Sequence, residues 1–467
     1  MDRLTYNMIF MKATRITNPL THLRWASLLM TCLSLLLLSS PIKAQDDDVV
    51  FENLTYVDYL KTVRLHIDGF PASYPILELR GGASLRLSFD DMSDDVRRYT
   101  YRVYHCNQDW TRSNLSPLEY IDGFEQDNIN EFDFSFRTIS EYIHYDLVIP
   151  NRNIDLTKSG NYLLVIYDNE RGDERPVISR RFYVVDPQAG VTAAVNRATR
   201  IGEIHTHQEV DFSVNTKRLR TRAPLQEISA TVLQNGRTDN AITDIRPSLL
   251  RQESLLFDHQ GQVSFVGGNE FRNLDIRSIQ APRADVLSVT NEGAFYAMSL
   301  APDQLRDQGI FLNYFDLNGD FVNFRFDRPV INLADDYLLE NYDRLQLDYT
   351  GEYVEMTFIL HAGTEFEDQQ VYLYGGFSEF KLKPEYEMVW NPAINSYVGK
   401  ALIKQGFYNY WYVTQDNGTD DGSFELMDTE GSFDETENDY IVLVYYRPMG
   451  GRFDQLIGST IVNSNVN

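Results

Sequence analysis

The stretch that decides the fold class is YTYRVYHC, which runs from Tyr99 to Cys106. Aromatic or β-branched residues recur in it at every second position, which is typical of a β-strand with one buried face. A second stretch, YLLVIY at Tyr162–Tyr167, is apolar throughout, as expected of a strand that is buried on both faces. Both patterns predict an all-β protein.

Further stretches of the same kind recur along the chain, with turn signals between them. We predict strands at Arg181–Val185, Val263–Val266, Ile310–Leu317, Phe321–Phe326, Val354–Leu360, Val371–Tyr374, Tyr408–Val413 and Tyr440–Tyr446. The dipeptides Asn235-Gly236 and Asn318-Gly319 are typical of type I′ hairpin turns, because both central residues of such a turn need positive φ. Helical periodicity is nearly absent, so the strands are expected to form antiparallel β-sandwiches.

Weakly patterned joints divide the chain into segments of ordinary domain length. We expect three consecutive antiparallel, immunoglobulin-like β-sandwiches after a signal peptide. The N-terminal sandwich is expected at residues 45–187, the middle one at 188–333 and the C-terminal one at 334–467. The acidic stretch Asp416–Glu437 is expected to be a long loop.

The first residues have the pattern of an export signal. A basic segment precedes the apolar run Trp25–Ser39, whose 15 residues are fewer than the roughly 20 that a membrane-spanning helix needs. We predict a signal peptide at residues 1–44, cleaved after Ala44, and a mature protein that is not inserted in the membrane. Two points stay open: a start at Met8 or Met11, and lipidation of Cys32.

The charge and the cysteine count exclude several classes of protein. The 467 residues include 42 Lys and Arg against 68 Asp and Glu, a net charge of −26. The predicted signal peptide holds five basic residues and one acidic residue, so the mature charge is −30. Such a chain repels phosphate backbones, which argues against nucleic-acid binding. Two cysteines exclude a disulfide framework, and the second, Cys106, is expected to be buried.

Catalytic motifs are missing from the sequence. It contains no G-x-S-x-G elbow, no P-loop and no H-E-x-x-H helix. We therefore predict no enzyme activity, no catalytic residue, no cofactor and no metal site.

Two weaker patterns have residue types that can bind metals. A strand would place Glu203, His205, His207, Glu209 and Asp211 on one face, where they could bind zinc, but a solvated polar face is the simpler interpretation.

The second pattern, Asp316-Leu-Asn-Gly-Asp320, resembles the start of a calcium loop. Its glycine is at the fourth position instead of the sixth, which favours a hairpin.

Eight segments, in order along the mature chain, together resemble one family, the plug proteins of the type IX secretion system of the Bacteroidetes. They are YHCNQDW (Tyr104–Trp110), SGNY (Ser159–Tyr162), RRFY (Arg180–Tyr183), QNGRTDN (Gln234–Asn240), GGNEFR (Gly267–Arg272), KQGFYNY (Lys404–Tyr410), TENDY (Thr436–Tyr440) and VYYR (Val444–Arg447).

The resemblance implies a role in binding and gating. Plug proteins lie in the periplasm and are held at the outer membrane by their partner, a large outer-membrane translocon barrel. They close the periplasmic side of its channel when no substrate is engaged. A monomer before docking is expected. As partner contacts we select polar residues of the middle domain, which could instead tie down their own loops by hydrogen bonds. They are Asn235, Arg237, Asn240, Asn269, Glu270 and Arg272.

A second resemblance supports an alternative function. The segments YLYGGFSEF (Tyr372–Phe380) and KQGFYNYW (Lys404–Trp411) are similar to early-set sandwich domains that bind glucans, although Phe380 stands where those domains carry tryptophan. The alternative is an exported glycan-binding protein in which Tyr408, Tyr410 and Trp411 stack on sugar rings. Packing in the core would explain the same aromatic residues.

Overall fold

Strands form nearly all of the regular structure in this computed structural model. It describes residues 49–93, 95–169, 174–306, 310–326, 348–419 and 421–465. The predicted signal peptide, Cys32 and the predicted domain limit at residue 333 lie outside this part of the chain. Among the described residues, no helix has both the length and the apolar character needed to cross a membrane.

The strands are numbered along the chain. The first twelve are β1 Leu54–Thr55, β2 Leu60–Ile67, β3 Ile76–Glu78, β4 Leu85–Asp91, β5 Tyr99–Cys106, β6 Ile121–Gly123, β7 Gln126–Asn128, β8 Glu131–Phe134, β9 Ile143–Ile149, β10 Ile154–Leu156, β11 Gly160–Asp168 and β12 Arg175–Val185. The next twelve are β13 Gly190–Arg197, β14 His207–Asn215, β15 Ile228–Gln234, β16 Ile242–Ile245, β17 Leu249–Arg251, β18 Ser254–Phe257, β19 Ser264–Val266, β20 Arg272–Asp275, β21 Val286–Asn291, β22 Tyr296–Leu300, β23 Asp303–Gln304 and β24 Phe321–Asn323. The last seven are β25 Tyr353–His361, β26 Gln369–Tyr374, β27 Glu387–Asn391, β28 Ser396–Lys404, β29 Gly406–Asp416, β30 Asp439–Tyr446 and β31 Gln455–Asn463. The helical segments are α1 Pro117–Tyr120, α2 Pro224–Glu227 and two 3-10 turns, Gly376–Ser378 and Pro384–Tyr386.

The N-terminal sandwich is built from β1 to β12. One sheet has the order β1-β12-β11-β5-β7, with β3 beside β12, and the other has the order β2-β4-β9-β8. Their inner faces share one core, in which the rings of Phe89 and Tyr145 stack at 5.2 Å. Strand β11, the apolar stretch YLLVIY with its flanks, lies between β12 and β5 and is buried along its whole length. A strand in the middle of a covered sheet has no solvent-facing side, which explains its composition.

The second sandwich is completed by the C-terminal end of the chain. One sheet has the order β13-β14-β18-β17, with β19 beside β14, and the other has the order β16-β15-β30-β31. Strand β15 pairs with β30 from Ile228 opposite Tyr446 to Gln234 opposite Tyr440. Both sheets contribute to one core. The chain therefore leaves this sandwich after β19 and returns to it at β30.

The third unit is inserted between these two strands. Its ten-stranded sheet has the order β20-β29-β26-β27-β28-β25-β22-β21, with β23 beside β25 and β24 beside β29. The sheet encloses a main core, and a second, smaller cluster lies against β26 and β29. The all-β, multi-domain sandwich prediction is confirmed. The prediction of consecutive middle and C-terminal sandwiches is wrong, because residues 272–416 interrupt the second sandwich and residues 439–463 complete it. Three strand pairs, β3–β12, β22–β25 and β23–β25, are parallel.

Most predicted strands occur where the pattern placed them. Strand β5 has the predicted limits, Tyr99–Cys106, and Cys106 is buried as expected. Residues 310–317 form no strand; side chains distant in sequence take some of their backbone groups, since Asn409 Oδ1 accepts the Leu317 N–H and Asn273 Nδ2 donates to the carbonyl oxygen of Phe315. The predicted positive φ is found at both turns, since Asn235 and Asn318 have φ of 55° and the glycine after each is also positive. The hairpin expected at Asn318-Gly319 is wrong, because residues 310–317 form no strand and β24 pairs with β29.

A buried ion pair joins the N-terminal sandwich to the third unit. The Asp90 carboxylate has no exposed surface, and Lys404 Nζ and Tyr353 Oη each donate to its Oδ2 over 2.7 Å. His144 Nδ1 lies 2.6 Å from Asp90 Oδ1. Burial opposes the charge on His144, but the carboxylates of Asp146 and Asp90 outweigh it and raise its pKa to about 9. Asp90 is therefore held as an anion between two cations.

Candidate functional site

The first group of predicted partner contacts lies inside the protein. Asn235 is buried: its Nδ2 donates to Asn438 Oδ1 (2.7 Å) and its Oδ1 accepts the Asp439 N–H (2.8 Å). Asn240 is partly buried and donates to Gln234 Oε1 (2.8 Å). Both side chains fix the turn that follows β15.

Arg237, from the same turn, is also internal. Its guanidinium donates to Asp239 Oδ2 (2.6 Å) and to Tyr374 Oη (3.0 Å). The rings of Tyr374 and Phe380 lie 5.3 and 5.6 Å from the guanidinium carbon. A cation enclosed in this way by a carboxylate and aromatic rings ties the second sandwich to the third unit.

The second group of predicted partner contacts, Asn269, Glu270 and Arg272, is also buried. Asn269 Nδ2 donates to the carbonyl oxygen of Glu430 (2.8 Å), and Arg272 Nε donates to Glu430 Oε1 (2.9 Å). Glu270 is buried as well. The prediction that these residues form a contact surface is corrected, because five of the six are buried and Asn240 is half-buried. Their hydrogen bonds are internal: Asn240 binds within its own loop, whereas the others join their loops to segments distant along the chain.

The predicted sugar-stacking residues belong to the core. Tyr408, Tyr410 and Trp411 are buried, and Tyr410 Oη donates to Asp303 Oδ2 (2.8 Å). The indole of Trp411 stacks on Phe271 with 3.6 Å between ring centres. The stacking prediction is wrong, because a buried ring offers no face to a sugar.

The histidine pattern does not form one polar strand face. Residues 201–206 form turns, and the strand begins only at His207. Glu209 is buried and its Oε2 accepts the Thr199 N–H (2.8 Å), whereas His205 is exposed. The interpretation as a solvated strand face is therefore wrong for Glu203 and His205, which lie in turns, and for Glu209, which is buried.

An exposed aromatic row lies on an edge strand of the N-terminal sandwich. Strand β8 is the last strand of its sheet and, in the described part of the chain, pairs only with β9. Phe132 and Phe134 share one face of the strand at alternate positions, and Phe136 follows two residues after its end; the three are 41%, 62% and 56% exposed. Apolar residues beside unpaired backbone groups are typical of surfaces that bind other proteins. The alternation EFDFSF at residues 131–136 indicates a strand with its phenylalanines on one face, but it does not indicate whether that face is exposed to solvent.

A cluster of three carboxylates lies at the junction of the second sandwich and the third unit. One carboxylate oxygen from each of Glu270, Asp316 and Glu437 lies within 4.8 Å of the other two. Glu270 is 1% exposed and its Oε1 accepts the Glu437 N–H (3.1 Å). Burial raises the pKa of all three, to about 8 for Glu270. Sequence spacing had indicated only Asp316, because the other two lie far away along the chain.

One protein-family model matches the chain. Its description is the first domain of the type 9 secretion system plug protein, and it matches residues 60–186. These limits coincide with the N-terminal sandwich from β2 to β12, which also carries the exposed aromatic row.

Similar structures were found among solved proteins. A crystal structure of a hypothetical protein from Parabacteroides merdae is 31% identical, covers 89% of this chain and 100% of its own, and has a TM-score of 0.79. The C-terminal domain of the Streptococcus pyogenes antigen I/II-family protein AspA is 7% identical over 86% of this chain and 99% of its own, with a TM-score of 0.16, which carries no argument. No curated protein matches the sequence.

Proposed function

We propose that this chain, which belongs to the family of type 9 secretion system plug proteins, closes the periplasmic side of the outer-membrane translocon channel when no substrate is engaged. The observation that carries the proposal is the match of residues 60–186 to the first domain of that family. The partner would be the large outer-membrane barrel that forms the channel, and the location would be the periplasm.

The exposed aromatic row is the surface we assign to this contact. It lies in the matched domain, on strand β8 and the two residues after it. Among the described strands β8 pairs only with β9, which leaves its outer edge for a further strand, whereas the Phe136 N–H already donates to the carbonyl oxygen of Tyr349. A partner strand could add to the sheet edge while its side chains cover Phe132, Phe134 and Phe136. Such a contact buries apolar surface without requiring the sandwich to rearrange.

The acidic charge supports a reversible contact. The net charge of −26, or −30 after signal cleavage, would be attracted to a basic rim of the channel and would speed docking. Contacts of this kind weaken as salt rises, so a plug could be released without unfolding. The alternative of a glycan-binding protein is not pursued, because its stacking residues are buried.

The function is tested by deleting the gene and measuring the uptake of a large antibiotic. A plug predicts increased uptake that disappears when the translocon barrel is also deleted. Unchanged uptake, or an increase without the barrel, would contradict the proposal.

The contact surface is tested separately with the double substitution Phe134→Ser and Phe136→Ser. We expect this variant to fold but to fail both in restoring the barrier and in co-purifying with the barrel. The matched control is Phe70→Ser, an exposed phenylalanine in the turn between β2 and β3. Equal co-purification of the two variants would exclude strand β8 as the contact.

A further inference from the structure

The carboxylates of Glu270, Asp316 and Glu437 are brought together from three separate segments. Glu270 precedes β20 of the third unit, Asp316 precedes the turn before β24, and Glu437 precedes β30 of the second sandwich. In the described part of the chain, no lysine or arginine forms an ion pair with any of them. The nearby Arg306 is engaged elsewhere: it pairs with Glu430 (3.2 Å) and donates to the carbonyl oxygen of Glu270. The cluster therefore has an excess of negative charge.

One oxygen of this cluster is left without a hydrogen-bond donor. Glu270 Oε2 is buried and no N–H or hydroxyl group of the described residues donates to it, while the side chain of Asp316 lies within hydrogen-bonding reach of the Glu270 carboxyl group; Glu270 is only 1% exposed. A buried, unpaired carboxylate oxygen is strongly unfavourable unless a proton or a cation compensates it. By contrast, each oxygen of Asp316 accepts a backbone N–H, from Phe271 and from Asn318. The unpaired oxygen indicates that a positively charged group belongs at this point.

A cavity large enough for water molecules borders the cluster. Asp316, Asn318 and Glu437 line a cavity of about 430 Å³ between the N-terminal sandwich and the rest of the chain. The side-chain Oδ1 of Asn318 is also buried without a donor among the described residues. The cavity offers room for water ligands and a route for a hydrated ion.

We propose that Glu270, Asp316 and Glu437 bind one divalent cation, and that this cation is calcium. All three ligands are carboxylates, and calcium prefers six to eight oxygen ligands with flexible geometry. Each of the three carboxylates offers one oxygen within 4.8 Å of the other two, and water from the cavity can complete the shell. No nitrogen or sulfur ligand belongs to the cluster, which disfavours zinc.

The position of the ion defines its effect. It ties the start of β20, the first strand of the inserted third unit, to the start of β30, the strand with which the chain returns to the second sandwich. Calcium would therefore fix the third unit on the second sandwich. This inference does not depend on the proposed plug function.

The experiment uses the mature full chain, treated with chelator and transferred to metal-free buffer. Calcium is titrated by calorimetry, and thermal unfolding is followed with and without calcium. We expect one bound calcium per chain and a higher Tm in calcium. Glu270→Gln should bind calcium at least about tenfold more weakly and lose the Tm response. The matched control is Glu435→Gln, an exposed acid two residues from Glu437, which should behave as wild type.

Glu270→Gln also distinguishes a site that needs a bound cation from one in which the carboxyl groups share a proton. Glutamine keeps the acceptor for the Glu437 N–H and removes the unpaired charge, so without calcium Glu270→Gln should be at least as stable as wild type. The proposal is overturned if wild type binds no calcium at about 10 mM, an order of magnitude above the weakest extracellular sites. Equal calcium binding by Glu270→Gln and wild type would also overturn it. If Glu270→Gln does not fold, Glu437→Gln, at a partly exposed position, is read by the same criteria.

Discussion

Asp90 is a fully buried carboxylate whose charge depends on Lys404. Replacing Lys404 by Met keeps most of the side-chain volume but removes the cation 2.7 Å from Asp90. Without Lys404 the buried carboxylate keeps only His144 as a cationic partner, so we expect a loss of about 3 kcal/mol in the free energy of unfolding, the lower end of the range for a broken buried pair. Urea denaturation of wild type and variant measures it.

The control for this prediction is Lys400→Met on the same strand. Lys400 pairs with Glu355 (2.6 Å), but its side chain is 59% exposed. An exposed pair contributes about 0–1 kcal/mol, so the control should change stability little. Equal losses in the free energy of unfolding for Lys404→Met and Lys400→Met would show that the buried Asp90–Lys404 pair stabilises the fold no more than an exposed pair does.

Glu270 predicts a pH dependence of stability. Its pKa is raised by burial from an ordinary 4.5 to about 8, so between these pH values the folded chain holds a proton that the unfolded chain has released. Stability in calcium-free buffer should therefore fall as the pH rises from 4.5 to 8, and Glu270→Gln should remove that part of the slope. Denaturant midpoints across this range, compared between wild type and variant, measure it. Parallel curves for the two proteins would contradict the prediction.

Single residues show where sequence reasoning about the site stopped. Glu270 was selected as a polar residue of interest and Asp316 as part of a calcium-like pattern, yet nothing in the spacing connected them with Glu437. Residue type indicated their chemistry, but burial and proximity depend on strand pairing across long stretches of chain. Arg237 shows the same limit, because only the fold encloses it between Asp239 and aromatic rings.

At the scale of elements, the turn before β24 reverses the chain and also packs closely against the ring of Phe271. Gly319 has a φ of +85°, and an added Cβ would lie 2.6 Å from the Phe271 ring. Gly319→Ala should therefore lose more than the roughly 1–2 kcal/mol of a left-handed alanine alone. Thermal unfolding checks this against Gly418→Ala, where φ is +86° but a Cβ would have open space. A loss no larger than that of the control would contradict the expected clash.

The elements themselves were largely predictable from local pattern. Strand β5 and the Asn-Gly turns followed from alternation and from the need for positive φ, because these depend on neighbours along the chain. The expected strand at residues 310–317 is absent, although its composition suits one. Side chains such as Asn409 supply the backbone hydrogen bonds there, and that competition is not visible in a short stretch of sequence.

At the scale of the whole molecule, the order of domains along the chain was not predictable. Pairing of β15 with β30 joins residues about 200 positions apart, and a period of two identifies a strand without naming its partner. The inserted third unit has a core of its own. The same hydrophobic pattern is therefore compatible with consecutive domains and with an inserted unit. The arrangement has a direct consequence for how the chain can be divided.

Fragments of the chain distinguish an inserted unit from consecutive domains. Residues 45–187 contain every strand of the N-terminal sandwich, so this fragment should fold and unfold cooperatively by circular dichroism. Residues 188–333 lack β30 and β31 and should fail to form a cooperative structure, because β15 then loses its apolar neighbour and the core of the second sandwich stays open. Residues 188–467 restore both strands and should fold. A cooperative transition in the 188–333 fragment would mean that the second sandwich does not need the C-terminal strands.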